Sequence, residues 1–270
     1  MATTTTPPAS ATPRSHGTAA QRPRFVHAAA FEWIKVRSIR STWWTLFAAS
    51  FITVGVGVLG GGHAKPGDSA ATVLREIFVG LPLGQVAVCL FGVLAATSEY
   101  GTGSIRSTFT AVPQRPRLLA AKALVVFAVS LVTGLLISFA TYAAGSLALG
   151  AKVAHPALSD GAVLRAVVGG GCYLGVLGVF ALALGLVLRA SAGGITTAVS
   201  VTFILPIMFR MMGDSGRPLL TWWPTEAGQQ ILLLVPSHEN LAPLPGFGYF
   251  ATLTLVALIG ATVLVNRRDA

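Results

Sequence analysis

The chain has 270 residues, of which 53% are apolar and only 10% charged, and its mean hydropathy is +0.72. One soluble core of this size has no use for so much apolar surface, so an ordinary soluble domain is excluded and a bilayer must be the solvent. The net charge of +10 would suggest nucleic acid if it formed a patch, but the basic residues sit at the ends of apolar runs, which excludes nucleic acid as a partner and makes their role topological.

Residues 1–24 are rich in Thr, Pro, Ala and Ser and hold too little apolar surface to offset the entropy of ordering a chain. They are expected to be a disordered cytoplasmic tail, without the apolar core of a signal peptide. The rest, 25–270, reads as one membrane domain.

Its first element, FVHAAAFEWIKVRSIR at 25–40, reads as a helix lying in the inner interface. Phe25, Ala29, Trp33, Val36 and Ile39 share one arc at helical spacing. Glu32 falls inside that arc, so the face is expected to meet protein as well as lipid.

Six apolar runs follow, at about 43–61, 77–97, 118–149, 162–188, 193–212 and 247–265, each long enough to cross about 30 Å of hydrocarbon as a helix. They lack the alternation of barrel strands, so the fold class is all-α: a polytopic bundle of six transmembrane helices. Gly57 and Gly61, Gly80 and Gly84, and Gly171 and Gly175 each form a GxxxG, a spacing that lets membrane helices approach closely.

Basic residues over alternate connections set the orientation. Lys35, Arg37, Arg40, Arg106, Arg115, Arg117, Lys122, Arg189, Arg267 and Arg268 fall on one side together with the tail arginines. On the other side Lys65, Arg75, Lys152, Arg165, Arg210 and Arg217 are offset by Asp68, Glu76, Asp160, Asp214, Glu226 and Glu239. The first side is therefore expected to be cytoplasmic, with both termini, in the inner membrane. Trp43 and Trp44 at the inner start of the first span, and Phe247, Tyr249 and Phe250 at the outer start of the last, fit interfacial aromatic belts.

Between the second and third runs, TSEYGTGSIRSTFTAVPQRPRLLAAK supplies glycines at 101 and 103, a capping Ser104, and Pro113 and Pro116. This predicts a short cytoplasmic helix from Ser104 to about Thr110, suited to passing force from a soluble partner to membrane helices. The outer segment 213–246 contains LLTWWPTEAGQQILLL, where Trp222, Trp223, Ile231 and Leu234 are placed in the outer interface; a re-entrant helix and a plain loop are both open.

Catalysis finds little support. Gly213-Asp214-Ser215-Gly216 copies the surroundings of a serine-protease nucleophile, yet that chemistry needs a β scaffold absent here. The histidines at 16, 27, 63, 155 and 238 all lie outside the runs, which removes the base of an intramembrane protease. Cys89 and Cys172 lie inside apolar runs with no metal spacing and read as inert thiols. No run carries an ionisable residue near its centre, and Arg75, Lys122, Arg165, Arg189 and Arg210 are near enough to an end to snorkel, which disfavours an ion-driven carrier.

Glu99-Tyr100-x-x-Gly103-x-Ile105-Arg106-x-Thr108, followed by a basic turn and Ala121-Lys122, resembles the pattern of ABC-2-type transporter permeases. So does Glu32-Trp33-x-Lys35-x-Arg37-Ser38 before the first span. The resemblance covers nearly everything after the tail. It implies the membrane subunit of a bacterial ABC exporter for an amphipathic or lipid-like substrate, not itself an enzyme. It implies a dimer, with itself or a related permease subunit, joined to separate ATP-binding cassette ATPase subunits. Glu32, Glu99, Tyr100, Gly103, Ile105 and Arg106 would then form the ATPase-coupling interface, while Glu99 alternatively neutralises nearby arginines. No GxxxxGK[ST] is present, so ATP and Mg belong to the partner, and no cofactor or metal is expected in this chain. A non-transport membrane immunity or sensory protein is the competing reading.

Overall fold

The computed structural model describes residues 25–101, 115–151, 153–235 and 240–268. The expected tail and the expected helix from Ser104 to Thr110 lie outside them. Among the described residues all regular structure is helical, as backbone groups in hydrocarbon require.

Helix α1, Phe25–Ser38, ends at an extended Ile39 (φ −88°, ψ 90°), and α2, Arg40–His63, follows directly. Helix α3, Ala70–Ile77, starts at Ser69, whose hydroxyl accepts the Thr72 N–H at 3.2 Å. A single 3₁₀ turn, Phe78–Gly80, leads into α4, Leu81–Gly101. Next come α5, Arg115–Leu147, and α6, Gly161–Leu188. The Asp160 carboxylate accepts the Ala162 N–H at 2.8 Å at the start of α6, and Arg189, in the left-handed conformation (φ 55°), ends it.

Helix α7, Ser191–Val199, continues through a π turn, Ser200–Ile204, into α8, Leu205–Met211. Pro206 has no N–H to return to residue 202, and the widened turn sits immediately before it. Two short helices, α9 (Arg217–Thr221) and α10 (Pro224–Gln229), and a 3₁₀ turn, Gln230–Leu232, precede the final α11, Pro243–Arg268.

Six of these stretches are long and apolar enough to cross a membrane: Arg40–His63, Ala70–Tyr100, Pro116–Leu147, Gly161–Leu188, Ser191–Met211 and Pro243–Arg268. The chain is a multi-pass membrane protein. The six predicted runs match them one for one. The largest boundary difference is in the second, where the helix begins at Ala70 instead of Ile77. Arg75 and Glu76 interrupt the apolar run there, but Val73, Leu74 and Ile77 still bury one face of α3.

Helix α6 is the hub, packing on α5, α4 and α11 and burying Tyr173, Leu174, Leu177 and Leu182. All three glycine pairs sit at helix contacts. A Cβ on Gly57 would strike Thr141 of α5, and one on Gly61 the Gly145 carbonyl; Gly171 and Gly175 lie against Leu135 and Leu131; Gly80 and Gly84 lie against Thr53 of α2. Close backbone approach maximises dispersion where no hydrophobic force operates between helices. By contrast α2 exposes Trp44, Phe47, Phe51 and Leu59, and α11 exposes Leu255, Val256 and Ile259, as suits surfaces solvated by lipid.

The aromatic belt assigned to the start of the last span needs correction. Phe250 is fully buried, with its ring 5.6 Å from that of Tyr173 and 5.7 Å from that of Phe180. It fills the space left by Gly228 of α10 instead of facing an interface. Tyr249 is half-buried and donates its hydroxyl to the Trp222 carbonyl at 3.3 Å. Segment 213–246 is not a plain loop. Ile231 is buried against Gly169, eight residues into α6, so this turn of helix sits about 12 Å along the bundle from the first residue of α6. The outer-interface placement of Ile231 is thereby overturned by packing.

Several buried polar side chains of the bundle, among them Thr53, Ser130 and Thr141, have no hydrogen-bond partner among the described residues, and Gln85 is the largest of them. Gln85 of α4 is 1% exposed, and neither its amide oxygen nor its nitrogen has a hydrogen-bond partner among the described residues. Such groups cost roughly 1–3 kcal/mol, so Gln85→Leu, nearly isosteric, should raise Tm by about 2–4 °C in a detergent melt. A lower Tm would show that the amide is paired in the working protein.

Candidate functional site

The densest chemistry lies where α1 meets the end of α4 and the beginning of α5. The Lys122 ammonium, seven residues into α5, donates to Glu32 Oε2 at 2.7 Å and to Glu99 Oε1 at 2.5 Å. Lys35 donates to Glu32 Oε1 at 3.3 Å and to Glu99 Oε1 at 3.0 Å. Each lysine thus bridges both glutamates, and the four charges close a ring that is neutral overall when all are ionised. Burial is deep: Glu32 is 2% exposed, Lys122 6% and Glu99 8%. Lys35 is the outer member, its ammonium lying 4.3 Å from the centroid of the Phe31 ring.

Two expectations change here. Lys122 does not snorkel: its charge is matched inside the protein, where two carboxylates replace the water it would otherwise seek. The arc on α1 is also corrected. Its buried residues are Ala28, Glu32 and Val36, while Phe25 and Trp33 are exposed and Ile39 lies beyond the helix end. Charge pairing with Lys122, rather than the apolar arc, sets the rotation of α1.

Of the predicted coupling residues, the structure therefore joins Glu32 and Glu99. Among the described residues their partners are lysines, not the arginines considered for Glu99. Tyr100 follows at the same end of the bundle, its ring 5.4 Å beneath the Arg189 guanidinium at the turn between α6 and α7. Gly103, Ile105 and Arg106 lie outside the described residues. Sequence reasoning missed Lys35 and Lys122 as members of the site. The available signal was the opposite charge at Lys122, one of few ionisable residues inside an apolar stretch.

Of the described residues in the predicted cytoplasmic set, Lys35, Lys122, Arg189 and Arg268 lie at this end of the bundle. Arg268 of α11 donates to the Val187 carbonyl at 3.4 Å, near Arg189. At the other end Arg165 donates to the Leu233 carbonyl and Arg210 pairs with Glu226, each at 2.7 Å. Asp214, in the protease-like tetrapeptide, pairs with Arg217 at 3.4 Å on an exposed turn. Among the described residues no cluster of His, Cys, Asp and Glu has the makings of a metal site. Cys89 is buried 3.8 Å from the Thr202 hydroxyl, and Cys172 is half-buried.

No protein-family model matches the chain, and no curated protein matches it significantly.

Proposed function

We propose that the chain is the membrane-spanning permease subunit of an ATP-driven exporter, working as a dimer with separate ATP-binding cassette subunits in the inner membrane, with both termini cytoplasmic. The observation that carries this reading is the ring of Glu32, Lys35, Glu99 and Lys122. It ties α1 to both helices that flank residues 102–114, the two regions where the resemblance to ABC-2-type permeases resides. A push on that connection would reach α1, α4 and α5 as one unit.

The roles divide. Glu32 and Glu99, buried and engaged within the chain, hold the unit together, whereas Gly103, Ile105 and Arg106 provide the contact with the ATPase. The cargo fitting this bundle is amphipathic or lipid-like, since the described spans hold few ionisable groups and those are paired or near helix ends.

The chain should co-purify with an ATPase carrying a phosphate-binding loop. Arg106→Glu should weaken that association by roughly tenfold, because reversing an interfacial charge sets like against like. Absence of any ATPase, or full ATP-dependent transport by the variant, would overturn the assignment and favour a membrane protein that binds without transporting.

A further inference from the structure

At the end of the bundle opposite the charge ring lies a cavity of about 830 Å³, between α3 with the start of α4 on one side and α8 to α10 with the following 3₁₀ turn on the other. Leu81 lines it and Glu99 belongs to the ring, so eighteen residues of one helix, about 27 Å, separate the two features. The volume lies in the range of small-molecule sites.

Its walls carry charge of both signs. Arg75 and Glu76 are adjacent on α3, and among the described residues neither side chain has a hydrogen bond or ion pair. Across the cavity Arg210 and Glu226 are already paired at 2.7 Å. The Gln230 side-chain oxygen is removed from solvent and has no partner among the described residues, while its nitrogen donates to the Glu226 carbonyl at 3.2 Å. Gln229 donates to the Tyr173 hydroxyl at 3.4 Å. Thr72 and Asn240 add two uncharged polar groups to the lining, the rest is apolar, including Leu81, Leu220 and Leu234, and the rim residues Val79 and Val235 are exposed.

We infer that this cavity binds a zwitterionic phospholipid bearing a phosphate and a primary ammonium. Arg75 takes the phosphate through charge-assisted hydrogen bonds, and Glu76 takes the ammonium. The Gln230 oxygen accepts a further N–H of that ammonium, meeting its unfilled valence. The glycerol end rests on the leucines and the acyl chains leave over Val79 and Val235 onto the lipid-facing surface. One free charge of each sign selects a head group of no net charge, because a purely anionic head would leave Glu76 unmatched beside it. The site goes beyond the proposed transport cycle and needs no ATPase.

The test is native mass spectrometry of the full chain in non-ionic detergent, titrated with phosphatidylethanolamine. The comparators are phosphatidylglycerol and diacylglycerol with the same chains, and soluble phosphoethanolamine. Phosphatidylethanolamine should bind roughly tenfold more tightly than each comparator, and Arg75→Gln and Glu76→Gln should each remove that preference. Neither side chain is paired within the described fold, so both variants should melt like the parent. Equal binding of phosphatidylglycerol, equal binding of the soluble head group, or an unchanged preference in both variants would overturn the inference.

Discussion

Lys122→Met should destabilise this protein by about 3–5 kcal/mol and sharply reduce the amount recovered from membranes, the largest single effect expected here. The substitution nearly preserves side-chain volume, so packing is not the issue. It leaves the Glu32 and Glu99 carboxylates facing one another with only the half-exposed Lys35 to offset them. A detergent melt or fluorescence size-exclusion profile reads the result. The triple variant Glu32→Gln, Lys122→Met, Glu99→Gln should recover most of the loss, since it removes the uncompensated charge rather than the shape. A single variant as stable as the parent would mean that the ring holds nothing together.

Gly61→Leu is expected to be nearly as damaging, at about 3 kcal/mol. A side chain there meets the backbone carbonyl of Gly145, not the end of a flexible side chain, so α2 and α5 must separate. Parting them would also loosen the neighbouring approach at Gly57. The informative control is the next residue: a Cβ on Gly62 meets nothing within 4 Å, so Gly62→Leu should lie within about 0.5 kcal/mol of the parent. Comparable losses from both would assign the effect to helix composition and not to close packing.

Much of the fold was legible because bilayer thickness imposes a length on apolar runs that needs no tertiary knowledge. Six were expected, and among the described residues six helices have suitable length and hydropathy. The helix ends were less legible, since Arg40, His63 and the Arg75–Glu76 pair carry helical backbone past the apolar limits. Phe250 shows a deeper limit: an aromatic residue at a span end is placed by whatever it packs on, and Gly228 lies 22 residues away in sequence. The same applies to the charge ring. Glu32 and Glu99 were singled out from a degenerate pattern, but only the fold shows that Lys122 and Lys35 face them. A single sequence displays charges one at a time, and their neutralisation is a property of pairs.

The pairing of Glu32 with Lys122 also places a demand on biosynthesis. Ninety residues separate the two, so at ribosomal speeds of about 5–20 residues per second the glutamate is made roughly 5–20 seconds before the lysine that balances it. Throughout that interval two further helices must enter the bilayer while the first waits in water, because a lone carboxylate is costly in hydrocarbon. Seating of α1 is therefore the last act in building this half of the molecule, and it reports that α4 and α5 have arrived. A quality-control protease that recognises an undocked amino-terminal helix would, on this account, be reading the completeness of the bundle.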